Sequence, residues 1–129
     1  MVSKKKIVVS ERAPRAIGPY SAGVIIDGLI FTSGQLGIDP DTGELVEGGI
    51  EAETRQALIN LNHVLEAGGS NMESVIKTTV YLNDINEFGR MNGIYKEFFS
   101  SDFPARSAFQ VVALPKGGSV EIEAIALVS

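Results

Sequence analysis

Residues 24–32 read Val24-Ile25-Ile26-Asp27-Gly28-Leu29-Ile30-Phe31-Thr32. Two short runs rich in branched side chains flank Asp-Gly, a dipeptide that accepts positive φ at both central positions of a type I′ turn. The stretch predicts a tight antiparallel hairpin with strands Val24–Ile26 and Leu29–Thr32. A second pair of alternating runs, Ser107–Leu114 and Val120–Val128, lies at the other end. Pro115-Lys116-Gly117-Gly118-Ser119 joins these two and reads as the loop of a second hairpin. Hairpins at both ends point to a mostly antiparallel sheet.

Between them the apolar spacing changes. Leu58, Leu61, Val64 and Leu65 recur at helical intervals within Ile50–Ala67, and Gly68-Gly69 supplies the stop. Ser70-Asn71-Met72-Glu73 reads as a capping box for a short turn before a strand at Val75–Leu82. Asp84-Ile85-Asn86-Glu87 reads as another, opening a helix to about Ser100 along an apolar stripe of Phe88, Met91, Tyr95 and Phe98. Gly89 and Gly93 lie four apart on one face of that helix, each costing about 1 kcal/mol relative to alanine. That cost predicts a close neighbour. With Lys6–Val9 as the first strand, the order is β-β-β-α-β-α-β-β. The expected architecture is one α+β domain over residues 1–129, a six-stranded sheet with two helices on one face.

The 129 residues are 44% hydrophobic and 21% charged, a balance that supports a buried core. A net charge of −5 denies the chain the broad positive field that nonspecific nucleic-acid binding needs. Lys4-Lys5-Lys6 reads as a solvated end. The lack of cysteine excludes disulfides, thiolate metal sites and a cysteine nucleophile. His63 is the single histidine, too few for a histidine-rich zinc site, and reads as a helix-surface or half-buried residue. No apolar run is long enough to span a membrane, and no apolar segment follows the lysines as in a signal peptide. A cytoplasmic location is expected.

Period-two alternation divides the last strands. Ser107, Phe109, Val111 and Ala113 share one face, and Arg106, Ala108, Gln110 and Val112 the other. In Val120–Val128, the set Ile122, Ala124, Ala126 and Val128 opposes Glu121, Glu123, Ile125 and Leu127. The small aliphatic set suits the face under the helices. The remaining face combines Glu121, Glu123 and Gln110 with Val112, Ile125 and Leu127, too apolar for full solvation. Contact with another subunit is expected there. A half-solvated sheet with scattered apolar residues is the alternative.

Several residues carry candidate chemistry. Arg106, after Phe103-Pro104-Ala105, is placed to clamp a carboxylate through parallel hydrogen bonds, although composition alone favours a structural ion pair with a surface acid. Glu121 and Glu123 point the same way and suit acid–base work, an exposed edge or an interface. Hairpin pairing would put Arg106 about seven rows from Glu121, on the order of 20 Å. The two would then serve one small ligand only across a subunit boundary. Ser33-Gly34 offers a close backbone approach or a plain bulge. Gly18-Pro19-Tyr20 reads as a turn with Tyr20 able to cover a pocket. Asn92 lies on the helix face with Gly93, there to meet a close neighbour or solvent.

These tags occur together in one known arrangement. Ala16-Ile17-Gly18-Pro19-Tyr20, Thr32-Ser33-Gly34-Gln35 and Lys77-Thr78-Thr79-Val80 come first. Met91-Asn92 with Tyr95, Phe103-Pro104-Ala105-Arg106-Ser107, and Leu114-Pro115-Lys116 with Val120-Glu121-Ile122-Glu123-Ala124 follow in order. Over nearly its whole length the chain resembles the RidA (YjgF/UK114) family, the reactive-intermediate deaminases.

The resemblance implies a chorismate-mutase-like fold and a homotrimer with active sites in clefts between subunits. It implies hydrolysis of 2-imino acids, such as 2-iminobutanoate and 2-iminopropanoate, to 2-oxo acids and ammonia. These imines leak from pyridoxal-phosphate enzymes, and the deaminase itself needs no metal or cofactor. By the same resemblance Arg106 binds the substrate carboxylate and Glu121 orients or activates water. Tyr20 lines the cleft and joins them as a catalytic residue, and Ser33, Gly34, Asn92 and Ala108 line it as substrate-binding residues. Ala108 stands beside the arginine where many bacterial members carry cysteine. Two other readings remain open. One is a trimer that binds a 2-oxo acid without turnover. The other is an RNA-acting protein, in line with the family's old labels of translation inhibitor and endoribonuclease, which charge and histidine count disfavour.

Overall fold

The turn at Asp27-Gly28 forms as its sequence dictates. Asp27 has φ 50° and Gly28 φ 78°, and they join β2 (Gly23–Ile26) to β3 (Leu29–Thr32) with Ile26 opposite Leu29. The computed structural model describes residues 4–129. A first strand, β1 (Lys6–Val8), pairs antiparallel with β2.

The second hairpin does not form. β6 (Ala105–Gln110) and β7 (Val120–Leu127) are separated by β5 (Val75–Leu82), which runs parallel to β6 and antiparallel to β7. The sheet order is β1-β2-β3-β7-β5-β6. A two-residue strand, β4 (Gln35–Leu36), also pairs with β7 and adds a seventh strand to the expected six. The physical reason lies in β7 itself. Val120, Ile122, Ala124 and Ala126 are buried, so this strand fills the sheet's centre between two neighbours. β6 stops at Gln110, and the chain from there to Val120 is long enough to step over β5.

Helix α1 (Gly49–Ala67) buries Ile50, Ala57, Leu58, Leu61, Val64 and Leu65 against the sheet. Helix α2 (Phe88–Tyr95) is shorter than the pattern to Ser100 predicts. The Asp84 carboxylate accepts from the Asn86 N–H across a 3-10 turn at Ile85–Glu87, not from Glu87 as a capping box requires. Another 3-10 turn at Lys96–Phe98 ends the helix. Before β5, Asn71 is the cap, accepting from Ser74 N–H, while the Ser70 hydroxyl donates to the Leu127 carbonyl. A Cβ on Gly89 or Gly93 would meet nothing within 4 Å, so the expected close neighbour is absent among the described residues.

The register also corrects one face. Arg106 pairs with Thr78 and Ala108 with Val80, both of which are buried under the helices. Arg106, Ala108 and Gln110 therefore face the helices, and Gln110 does not share a face with Glu121. The open face carries Phe31, Lys77, Thr79, Tyr81, Ser107, Phe109, Glu121, Glu123, Ile125 and Leu127. Phe31, Phe109 and Leu127 remain exposed there. No helix among the described residues is long and apolar enough to cross a membrane.

Candidate active site

Chemistry-bearing residues gather in two places. The first surrounds Glu121, near the start of β7, where Tyr20, Ser33, Gly34, Pro115 and Lys116 help enclose a cavity of about 520 Å³. Gly34 leaves the space that the Glu121 side chain occupies. A Cβ on it would lie 2.6 Å from Glu121 Cδ and 2.9 Å from Oε1. The hydroxyl of Ser33 donates to the Ser21 carbonyl at 2.6 Å and its N–H to the Ala22 carbonyl at 2.8 Å. Ser33 thus fastens β3 to the segment carrying Tyr20 and keeps only hydroxyl lone pairs for a ligand. Tyr20 is half exposed at the cavity mouth, and its oxygen accepts a long bond, 3.4 Å, from Ile17 N–H. Burial, and behind it the charge of Glu123, holds the Glu121 carboxyl above the ordinary carboxylate range. Tyr81 pairs across the sheet with Glu121. Its phenol is pushed up by burial and then by Glu123 and Glu121.

The second place surrounds Arg106. Its Nη1 donates to Asn92 Oδ1 at 2.7 Å. Its guanidinium carbon stands 5.1 Å from the Phe88 ring centroid and 4.8 Å from that of Tyr95. The Tyr95 hydroxyl lies 2.7 Å from Thr78 Oγ1, which fixes the ring beneath the arginine. Asn92, Tyr95, Phe103, Pro104 and Arg106 border an open cleft of about 410 Å³. No carboxylate among the described residues pairs with Arg106, so the structural ion pair favoured by composition is absent. The arginine is built in and stacked on aromatic rings. Ala108 follows on the same face and packs against the core.

The two places do not meet within one chain. Arg106 is level with Thr78 and Glu121 with Tyr81, three rows apart, and β5 lies between their strands. Three rows and two strand spacings separate their backbones by about 14 Å. Odd spacing along β5 also sends the side chains to opposite faces of the sheet. The expected seven rows and roughly 20 Å are thus replaced by three rows and about 14 Å, and it is register and face, not hairpin pairing, that keep the two apart within one chain.

Of the arginine's supports, sequence reasoning named Asn92 but not Phe88 or Tyr95. The three stand at i, i+4 and i+7, one face of α2, and the two aromatic residues look like core in the sequence. His63 lines neither cavity; its Nδ1 lies 2.9 Å from the Arg12 carbonyl on the flank of α1.

An α+β sheet with this strand order and these two clusters points to a class. The family described as Endoribonuclease L-PSP matches residues 10–128, and the chain belongs to it, the RidA family indicated by the sequence tags. The chain is 54% identical over 123 residues to the bovine protein named 2-iminobutanoate/2-iminopropanoate deaminase, covering 95% of this chain and 90% of that one. It is 51% identical to the human protein of the same name, with the same coverage. Among solved structures, the Rid-family protein YyfA of Yersinia pestis superposes with a TM-score of 0.94 at 46% identity, covering 97% of this chain and 100% of that one. TdcF of Escherichia coli with bound serine gives 0.91 at 41% identity, covering 96% and 99%.

Proposed function

We propose that this protein is a 2-imino acid deaminase that converts 2-iminobutanoate and 2-iminopropanoate to 2-oxo acids and ammonia. The observation that carries this reading is Arg106, stacked on two rings and hydrogen-bonded to Asn92, with no carboxylate partner among the described residues. Such a guanidinium is a ready carboxylate receptor. The mammalian relatives named for this reaction add the substrate class.

The chemistry asks little more. The substrate carboxylate docks on Arg106. The protonated imine carbon is electrophilic, and the Glu121 carboxylate takes a proton from a water as the C–O bond forms. The nitrogen of the resulting carbinolamine then receives that proton, the C–N bond breaks as Glu121 takes the proton of the new hydroxyl, and ammonia leaves a 2-oxo acid. Glu121 suits both transfers because its raised pKa brings it closer to neutrality. Tyr20, Ser33 and Gly34 shape the water side of the site. Asn92 and Ala108 shape the carboxylate side.

The site closes between copies. Half-sites on opposite faces of one sheet cannot be matched pairwise about a single twofold axis. They call for head-to-tail contacts that close into a ring, and a homotrimer is the ring the family resemblance supplies. Its partner is a small 2-imino or 2-oxo acid, and its setting the cytoplasm, beside enzymes that release imines.

Ammonia release from 2-iminobutanoate, generated in situ by threonine dehydratase, tests the reading. Wild type should accelerate release and Arg106→Ala should lose at least 100-fold with its oligomer intact. A variant that loses the oligomer would make Arg106 structural. No acceleration by wild type would favour a binding protein without turnover, a reading supported by the serine bound to TdcF. The RNA-acting reading has less support, since neither cavity holds a histidine and the net charge is −5.

A further inference from the structure

We propose that helix α1 sets the shape of the Glu121 cavity from behind. Glu53 and Asn60, two turns apart on its buried face, are positioning residues for the cavity's two backbone walls. Neither lines the cavity. Glu53 is 7% exposed, and its Oε1 accepts from Ser119 N–H at 2.8 Å while Oε2 accepts from the Ser119 hydroxyl at 3.0 Å. That grip fixes the end of the loop whose Pro115 and Lys116 form one wall, two residues before Glu121. Asn60 is fully buried. Its Nδ2 donates to the carbonyls of Leu36 at 3.1 Å and Ile38 at 2.8 Å, while its Oδ1 accepts from Gln56 Nε2. Leu36 and Ile38 form the opposite wall.

Gly37, between them, presses so close to α1 that a Cβ would lie 2.6 Å from Glu53 Cα. Helix and wall are thus in direct backbone contact. Buried polar groups are costly unless satisfied, and apolar residues serve the neighbouring positions Ala57, Leu58 and Leu61. What Glu53 and Asn60 provide is a fixed aperture around Glu121.

The activity readout rests on the deaminase reading, so a second readout is independent of it. For wild type, Glu53→Ala, Glu53→Gln and Ser119→Ala, kcat and KM for 2-iminobutanoate are measured separately. The Glu121 carboxyl is titrated by ¹³C NMR in the same proteins, with Glu123 and Tyr81 as the titrating neighbours. Glu53→Ala should lower kcat at least tenfold with KM within about threefold, because the Arg106 half-site is untouched. Its Glu121 titration should move toward the ordinary carboxylate range as the wall loosens. Glu53→Gln can still accept from Ser119 N–H and donate to its hydroxyl, and should restore both readouts. A Glu53→Ala protein that melts earlier but keeps wild-type kcat, KM and Glu121 titration overturns the proposal. If Glu53→Ala does not fold, Ser119→Ala decides. A kcat loss of about threefold with a shifted titration supports the proposal, and unchanged values overturn it. If wild type hydrolyses no imine, the functional reading falls and the titration alone decides the positioning role.

Discussion

Gly34 and Glu121 show how closely one residue's identity can depend on another's. The carboxylate lies where a Cβ on residue 34 would stand. Gly34→Ala should therefore swing Glu121 aside without unfolding the sheet, since a side-chain end yields more easily than backbone. We expect kcat for 2-iminobutanoate to fall at least tenfold with an unchanged melting temperature; unaltered kcat would show that the carboxylate's position is not critical. Arg106 makes the complementary point. The receptor role proposed for it rests on what surrounds it, two aromatic rings and one amide oxygen, none of them charged. Asn92→Ala should leave the guanidinium free to tilt and raise KM several-fold, read from initial rates. The arginine was legible in the sequence as a candidate because Pro104 announces a fixed approach. The lack of a partner acid was not, because pairing depends on which distant carboxylates the fold brings near.

At the scale of elements, legibility follows locality. The β2–β3 hairpin was readable because two adjacent residues, Asp27 and Gly28, contain its turn. Gly28→Ala keeps the left-handed conformation at a cost of about 1 kcal/mol, and the denaturant midpoint should drop accordingly. A protein as stable as wild type would mean that the turn relaxes freely. Helix α1 was equally plain, since its apolar spacing runs for several turns. The β6–β7 pairing misled because alternation tells which residues share a face but not which strand lies alongside. A nine-residue connection serves a wide loop and a crossover equally well. The cap before β5 was misassigned by one residue. Ser70 and Asn71 are both good caps, and only the distant Leu127 carbonyl, which claims the serine, decides between them.

For the whole molecule, two expectations concern charge and assembly. Glu121 binds its proton more tightly folded than unfolded, so it favours the folded state at low pH. That contribution is full below the ordinary carboxylate pKa and is lost as pH rises through the raised value. In the proposed mechanism Glu121 acts in its ionised form, so the acidic limb of the kcat profile should lie above the ordinary carboxylate range. Glu123→Gln should move that limb to lower pH by removing the neighbouring charge; an unmoved limb would assign it to another group. Assembly should depend on the open face. Leu127→Asp places a charge among Phe31, Ile125 and Leu29, and sedimentation should show a smaller species that has also lost deaminase activity. A full-sized, active Leu127→Asp protein would move the interface elsewhere. The position of β7 has a consequence in time as well as space. The strand that joins both halves of the sheet follows every other strand in sequence. A ribosome making this chain therefore releases β3 and β5 with their inner edges bare. The nascent protein must carry two sticky, unfinished half-sheets until residues 120–127 clear the exit tunnel, and that interval is when it most needs a chaperone.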